Sequence, residues 1–353
     1  MRKEMPEWLK KYYNDLWARY KNQAFTFNDA MKKLGISRAM TIKMLWELEQ
    51  RGFVNKERSE VDYRARVYRL ISPEDINFVI GLYSLVEKEK IQKQSLIEKL
   101  VFINNRLLYV LTGSYASYHY HHYIIPAKVF EIKIETRDEG KWIAFLTDEK
   151  TRVFIDDIIE TRKVGYYVKL LHSTLPINSI RARTEEGYYI EKPEFLLMEL
   201  LKRETQTNII EAVATILQNK GQLKWCGKDG IVDIARNLGF SRKLGFLLDA
   251  INFEAGEPII KHEIVQRVRK DVKGKSGEVF PKDEILLSRF QELRNKLAHR
   301  VLLTKNEIEE FEKMKERFEG YEMLSEKWGL RVVLPREVIR KVLEDLGVRL
   351  GRK

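Results

Sequence analysis

The chain has 353 residues, 44% hydrophobic and 33% charged, and its 64 Lys and Arg against 52 Asp and Glu give a formal net charge of +12. With 19 Gly and 8 Pro, the composition excludes a fibrous or disordered protein and is typical of about two or three globular domains. A single cysteine, Cys226, excludes a disulfide framework and a multi-cysteine metal site. The N-terminal residues lack a signal-peptide core, and no uncharged apolar stretch of about 18 residues occurs, so we expect a cytoplasmic protein with no membrane partner. The Lys and Glu content resembles that of thermophile proteins.

The positive charge is concentrated near the N-terminus. Residues 1–70 contain 16 Lys and Arg against 9 Asp and Glu, a net charge of +7, and the remaining +5 is spread over the 283 residues that follow. A basic patch confined to one module is typical of nucleic-acid-binding proteins, because phosphates neutralised by protein release their counterions. The alternative is a generally basic, solvated surface.

Residues 25–71 have the pattern of a winged helix-turn-helix: a helix, a tight turn, a second helix and a hairpin. We expect Asn28 to cap the first helix, Gly35 to end it after Leu34, and Ser37 to cap the second helix. The helical spacing predicts that the second helix buries one stripe of residues, namely Thr41, Met44, Leu45 and Leu48. The residues left facing outward are Arg38, Ile42, Lys43 and Trp46.

The hairpin is predicted from residues 53–58 and 65–71, on either side of the polar segment SEVDYR. Its sequence DYRARVYRL resembles the wing of MarR-type winged-helix regulators. In such regulators the second helix enters the major groove and the wing lies beside the backbone or the minor groove. This docking predicts the following DNA-contacting residues: Ser37, Arg38, Thr41, Lys43, Arg58, Arg64 and Arg66. The alternative is a winged helix used only for protein contact, with Ile42 and Trp46 as its apolar surface.

The middle of the chain is predicted to contain a linker helix over residues 73–100, beginning at Ser72 and Pro73, and a small α/β domain over 101–192. The predicted strands of that domain are RLLYVLTG, KVFEIKIE, KWIAFL, RVFIDDII, GYYVKLL and GYYIEK, and SYASYHYHHY is its predicted short helix.

Two features of this region suggest chemistry. Gly113-Ser114 after a strand resembles the start of a nucleotidyltransferase site, but that chemistry needs clustered carboxylates and the following strand offers only Glu131. Three nearby histidines, His119, His121 and His122, have no visible fourth ligand and are interpreted as packed or surface residues. We therefore expect no enzyme activity, no metal and no cofactor.

A family resemblance begins at Gly113. The segment GSYASYHYHHYIIPAKVFEIKI is similar to the pattern of AbiEi-type proteins, the antitoxin and regulator half of abortive-infection toxin–antitoxin pairs. The residues that match in order are Ser114, Ala116, His119, His122, Pro126 and the strand KVFEIKI. The later runs GYYIEKPEFLLMELLKR and SRKLGFLLDAI are also similar, so that with the winged helix the resemblance covers residues from about 25 to 255. The family commonly has Gly-Leu after the helix, where this chain has His122-Tyr123.

The AbiEi-type resemblance implies an antitoxin and autorepressor of a defence or toxin–antitoxin operon. Its partners would be double-stranded DNA and a cognate toxin protein. A homodimer would read an inverted repeat.

The C-terminal part is predicted to be a helical domain over residues 193–320 and a helical tail over 321–353, with one polar loop at 272–283 and a tail helix that begins at Pro335. The run LRNKLAHR, with Arg294, Asn295 and His299, resembles the signature of HEPN ribonucleases. In that family His exchanges the 2′-hydroxyl proton and Arg stabilises the phosphoryl oxygens. An active ribonuclease, an inactive HEPN-like bundle and an ordinary helix all fit this run.

The predicted fold class is α+β, with an N-terminal winged helix-turn-helix domain over residues 1–72, a central small α/β domain and a C-terminal helical domain. The predicted function is DNA-binding transcriptional regulation of the AbiEi type. The alternatives are a HEPN-type ribonuclease toxin or effector that uses Arg294 and His299, and a protein-interaction scaffold.

Overall fold

The structure is a computed structural model with a mixed α/β fold. The predicted mixture of helices and strands is confirmed. It describes residues 5–59, 65–84, 95–104, 106–126, 129–148, 151–155, 166–203, 205–270, 272–274, 276, 278–281, 296, 303–319, 321–332 and 334–351. The chain forms two compact units: the first contains Met1–Tyr115 and Pro126–Glu191, and the second contains Ala116–Ile125 and Lys192–Lys353. No helix among the described residues is long and apolar enough to cross a membrane.

The first unit begins with three helices and a small sheet. The elements are α1 (Glu7–Tyr20), β1 (Phe25–Thr26), α2 (Phe27–Leu34), α3 (Arg38–Gln50), β2 (Val54–Arg58) and β3 (Arg66–Leu70). The strands are all antiparallel, and β3 lies between β1 and β2. Helix α1, which the sequence patterns do not single out, contributes the buried side chains of Leu9, Tyr13 and Leu16 to the core. The Tyr13 hydroxyl donates a hydrogen bond to the Ile71 carbonyl at 2.6 Å and so connects α1 to the end of β3.

The ends of α2 and α3 follow local capping rules. Gly35 ends α2 with a left-handed φ of 62°, and the Ser37 hydroxyl caps α3 by accepting a hydrogen bond from the Met40 amide, both as predicted. The predicted Asn28 cap of α2 is wrong, because α2 begins earlier. Thr26 caps it through a capping box in which the Asp29 carboxylate accepts from the Thr26 amide at 2.9 Å.

The rest of the first unit is a six-stranded mixed sheet with helices. Its helices are α4 (Pro73–Ser84), α5 (Leu96–Ile103), α6 (Gly113–His121), α7 (Glu139–Leu146) and α8 (Ile177–Ile180), although α6 continues into the second unit after Tyr115. Its strands are β4 (Tyr109–Thr112), β5 (Val129–Ile134), β6 (Thr151–Ile155), β7 (Tyr166–His172), β8 (Arg181–Arg183) and β9 (Tyr189–Glu191), in the order β6-β7-β5-β4-β9-β8.

Two predictions for this region are corrected. The run KWIAFL is not a strand but most of α7, and five consecutive residues from Trp142 to Leu146 are buried on it. The linker helix over 73–100 is not continuous, because Ser95 caps a new helix, α5, through a capping box with Glu98.

Within the first unit, the turn before β2 and helix α4 both approach α7 closely. A Cβ atom built on Gly52, which has a φ of 72°, would lie 3.2 Å from the Ile143 carbonyl oxygen. A Cβ built on Gly140 would likewise lie 2.9 Å from the Asp75 carboxyl carbon. Glycine at both positions permits these close approaches of the turn before β2 and of α4 to α7.

The second unit is mostly helical, as predicted. Its described elements beyond Lys192 are α9 (Pro193–Arg203), α10 (Gln206–Asn219), α11 (Ile231–Asn237), α12 (Ser241–Ala255), α13 (His262–Arg269), β10 (Val279–Phe280), α14 (Lys305–Glu319), α15 (Glu322–Trp328), β11 (Arg331–Val332) and α16 (Arg336–Asp345). The predicted polar loop at 272–283 contains β10, which pairs in parallel with β11 and buries Phe280. Helix α16 begins after Pro335, as predicted, and buries Val338, Ile339, Val342 and Leu343.

Candidate nucleic-acid interface

Helix α3 has one buried face and one exposed face, as its helical spacing predicts. Its buried residues are Thr41, Met44, Leu45, Leu48 and Gln50. On the opposite face, the exposed fractions of Ile42 and Trp46 are 54% and 50%. These are large apolar side chains to leave in solvent, so the exposed face of α3 combines apolar and basic groups.

The basic residues on α3 are accessible. Arg38 begins the helix and its guanidinium carbon lies 6.0 Å from the ring centroid of Phe27. Lys43 lies further along the helix, with its ammonium 5.6 Å from the ring centroid of Trp8. Cation–π contacts at such exposed sites contribute only about 0.5–1 kcal/mol, so they orient these cations without removing them from contact with a ligand. Ser37 is exposed, although its hydroxyl is engaged in the helix cap.

Thr41 is a correction to the predicted site. Its side chain is completely buried, and its hydroxyl donates to the Ser37 carbonyl at 3.0 Å. Thr41 therefore belongs to the core stripe of α3 and does not contact a ligand on the surface.

The register of the hairpin puts basic groups on one face of the small sheet. Arg58 lies directly opposite Arg66, and Lys56 lies opposite Tyr68. Because side chains alternate along a strand, these four residues share one face. The other face carries the ion pair of Glu57 with Arg69, 3.3 Å between Oε1 and Nε. The hairpin therefore has a cationic and aromatic face on one side and the Glu57–Arg69 ion pair on the other.

A groove of about 220 Å³ lies between α3 and this face of the sheet. It is lined by Phe27, Ile42, Leu45, Trp46, Glu49, Gln50, Lys56, Arg66, Tyr68 and Arg152. Arg152 comes from β6 of the six-stranded sheet and is absent from the predicted site. No local pattern relates it to the hairpin, because the approach of β6 to β2 is a tertiary contact.

The remaining predicted site residues lie outside the described part of the chain. They are Arg64 of the predicted wing and Arg294, Asn295 and His299 of the run that resembles HEPN proteins. Lys296, within that run, is described, and its ammonium lies 2.8 Å from the Glu307 carboxylate on α14. The pKa of Glu307 is lowered to about 2, first by this contact and then by hydrogen bonds from Thr304 at the start of α14.

The three histidines of the AbiEi-like segment differ in environment. His119 and His122 have ring centroids 6.5 Å apart, whereas His121 is buried. The pKa of His121 is lowered to about 4, mainly by burial and further by the neighbouring His122. Within the part of the chain that the structure describes, no group of three or more His, Cys, Asp or Glu side chains is placed to hold a metal ion.

A buried carboxylate close to the strand-to-helix step at Gly113 has polar partners. Gly113 adopts a left-handed φ of 62° between β4 and α6. Glu191 on β9 is 1% exposed, receives a hydrogen bond from the Thr112 hydroxyl, and lies 2.7 Å from the Lys133 ammonium. A buried carboxylate that is neutralised by a lysine is a common structural arrangement.

Comparison of the chain with protein-family models, curated proteins and solved structures gives no match.

Proposed function

We propose that this protein is a DNA-binding transcriptional regulator whose residues 5–71 form a winged helix-turn-helix. The observation that carries the proposal is the geometry of α3 and the hairpin. Arg38 and Lys43 are exposed on a helix whose opposite stripe is buried, and Arg58 and Arg66 lie opposite each other on one face of the hairpin.

In the proposed complex, α3 enters the major groove and the hairpin lies along the backbone. Arg38 and Lys43 contact phosphates or base edges, while Arg58 and Arg66 contact the backbone or the minor groove. The exposed side chains of Ile42 and Trp46 fit apolar contact with thymine methyl groups. The net charge of +7 in residues 1–70 favours association with any duplex before base contacts select a site.

The biological setting that we propose is that of the AbiEi type: repression of the protein's own operon, together with neutralisation of a cognate toxin. This part of the proposal depends on the motif residues from Ser114 to Pro126 and on the later similar segments. A homodimer on an inverted repeat is the proposed form on DNA.

A salt-dependent binding experiment tests the DNA proposal. A duplex selected from a random library with the full chain is titrated at several salt concentrations, using the original protein and the double variant Arg38→Ala/Lys43→Ala. We expect affinity to fall steeply with salt, and the double variant to bind at least about tenfold more weakly with a salt slope about one to two units smaller.

The matched control is Arg137→Ala. Arg137 is a cation of the same unit with 77% of its side chain exposed, and it belongs to neither α3 nor the hairpin. Its removal changes the net charge but is expected to leave the affinity within about twofold, since an exposed charge that does not touch the ligand is screened by salt. Failure to select any duplex, or equal losses in the Arg137 variant and the α3 variant, would contradict the proposal.

A further inference from the structure

Helix α1 brings an aromatic ring to the exposed face of α3. The Trp8 side chain is 37% exposed, and its ring centroid lies 5.6 Å from the Lys43 ammonium. The place of α1 is set by its buried side chains, among them Leu9 and Tyr13, and by the hydrogen bond from the Tyr13 hydroxyl to the Ile71 carbonyl. Trp8 therefore lies at a fixed position beside the surface proposed to contact DNA.

The orientation of the Trp8 ring is restricted within α1 as well. Tyr12 lies one turn further along the helix and meets Trp8 edge to face, with ring centroids 6.3 Å apart and planes at 73°. Indole is the aromatic ring that attracts a cation most strongly. The contact with Trp8 accordingly holds the ammonium of Lys43 on the α1 side of α3.

A lysine gains from such a contact when it binds a phosphate. Its four-carbon stem has many rotamers, and fixing them in a complex costs free energy. A ring that already holds the ammonium lowers this cost, because fewer rotamers remain to be lost. The ammonium has three N–H donors, so it can contact the ring on one side and a phosphate oxygen on the other.

We propose that Trp8 is a positioning residue for Lys43 in the DNA complex, so that the DNA-contacting surface extends from α3 to α1; the inference rests on the proposed function. The phosphate backbones form the walls of the major groove, so a cation held at the side of an inserted helix faces a phosphate and not a base edge. Lys43 then lies between the Trp8 ring and that phosphate. Exclusion of water by the duplex strengthens the contact between ammonium and ring.

A double-mutant cycle with the selected duplex tests this role. Trp8→Leu keeps an apolar side chain but removes the aromatic face, and we expect it to weaken binding about two- to fivefold. Added to Lys43→Ala, the same change should cause no further loss, because the group that it positions is absent. Added to Arg38→Ala, it should still weaken binding about two- to fivefold, since Arg38 contacts a different ring, that of Phe27.

Further variants separate positioning from folding. Trp8→Phe keeps an aromatic face and should bind within about twofold of the original protein and more tightly than Trp8→Leu. Trp17→Leu is the matched control, because Trp17 is nine residues further along α1 and so lies on the opposite side of the helix. It should bind as the original protein does, and thermal unfolding checks that each variant is folded. Ring-current shifts of the Lys43 ε-methylene protons report the contact itself and should disappear in Trp8→Leu.

The phosphate contact has a signature of its own. Duplexes in which single base pairs of the selected site are exchanged should all lose the same factor of affinity in Trp8→Leu, because a phosphate contact carries no base information. A loss that depends on the base pair would place Lys43 on a base edge and overturn the phosphate assignment.

Two other results would overturn the role: unchanged duplex binding by folded Trp8→Leu, or an equal further loss when this change is added to Lys43→Ala. The role and the proposed function fail in different ways. Duplex binding that does not depend on Trp8 overturns the role alone, whereas failure to select any duplex overturns the DNA proposal and the role with it.

Discussion

His121 shows how one hydrogen bond fixes the state of a buried side chain. Its Nδ1 atom accepts from the Tyr123 amide at 2.8 Å, so the ring proton lies on Nε2. The Nε2 atom is buried without a hydrogen-bond partner among the described residues. A second proton on Nδ1 would break the bond from Tyr123 and place a charge in the core. Burial is accordingly the main reason why the pKa of His121 falls to about 4.

This shift predicts a loss of stability in mild acid. The folded pKa of about 4 lies below the unfolded value of 6.5, so the unfolded state binds the proton first as the pH falls. The stabilisation is complete above pH 6.5 and declines between pH 6.5 and about 4. Linkage at about 1.4 kcal/mol per pH unit gives a contribution of about 3–4 kcal/mol to the free energy of unfolding.

Urea unfolding at pH 7 and at pH 4.5 measures this contribution. The control is His121→Asn, whose Oδ1 can accept from the Tyr123 amide and does not titrate. The original protein should lose about 2 kcal/mol more than the variant between the two pH values. Equal losses would show that other groups cause the acid sensitivity.

At the residue scale, the sequence predicts the features that depend on residues nearby in the chain. Ser37 and Gly35 are predicted correctly because capping and left-handed turns depend on neighbouring residues. The Thr26 cap is not predicted, because Asn28 is an equally suitable capping residue two positions later. The structure selects Thr26, which forms a capping box with Asp29. Arg152 cannot be found from sequence, because its place beside the wing depends on how β6 packs near β2.

At the element scale, helix α12 approaches α15 closely enough to require glycine. A Cβ built on Gly245 would lie 2.5 Å or less from ring atoms of Trp328, which is fully buried. The Trp328 indole is held there by a hydrogen bond to Asp249 at 2.6 Å. Because the ring is fully buried and held by this hydrogen bond, it has little room to move away from an added methyl group.

We therefore expect Gly245→Ala to lower the free energy of unfolding by about 1–3 kcal/mol, since overpacking outweighs the helix propensity that alanine adds. Gly81 in α4 is the matched control, because it also lies in a helix and a Cβ built on it would have no atom within 4 Å. Gly81→Ala should raise stability by up to about 1 kcal/mol. Chemical denaturation of both variants compares them, and a stabilising Gly245→Ala would contradict the packing argument.

Sequence patterns do not distinguish a helix from a strand in short apolar runs. KWIAFL is predicted as a strand, yet it forms α7, with Trp142, Ile143 and Phe145 all buried. A short run that is buried on every side shows neither the alternation of a half-buried strand nor the stripe of an amphipathic helix. By contrast, KVFEIKIE alternates and is predicted correctly as β5, whose burial pattern alternates in the same way.

At the scale of the whole molecule, the chain crosses between the two units inside a continuous helix. Helix α6 begins in the first unit, where the Tyr115 and Phe130 rings lie 4.5 Å apart, and residues from Ala116 onward belong to the second. There the Asn219 side chain donates to the Tyr120 carbonyl at 3.0 Å, and the Tyr123 hydroxyl bonds Asp345 on α16. The sequence predicts this helix wholly within the α/β domain. The sequence of a helix does not indicate which unit the helix packs against, so its place in the second unit is not predicted.

This crossing predicts the behaviour of a fragment that ends at Glu191. The fragment contains the first unit but lacks Asn219, Asp345 and the rest of the surface that covers Ala116–Ile125, so buried side chains such as His121 become exposed. Replacing Ala116–Ile125 in the same fragment by a Gly/Ser linker of equal length removes that exposed surface. Strands β4 and β5 still pair directly, with Thr112 opposite Glu131, so the linker only has to span their ends. We expect the linker fragment to be monomeric, with cooperative thermal unfolding, and the unmodified fragment to associate or to unfold at a lower temperature.

Light scattering and thermal unfolding of the two fragments measure this difference. If the unmodified fragment were the more stable and equally monomeric, Ala116–Ile125 would have to pack with the first unit.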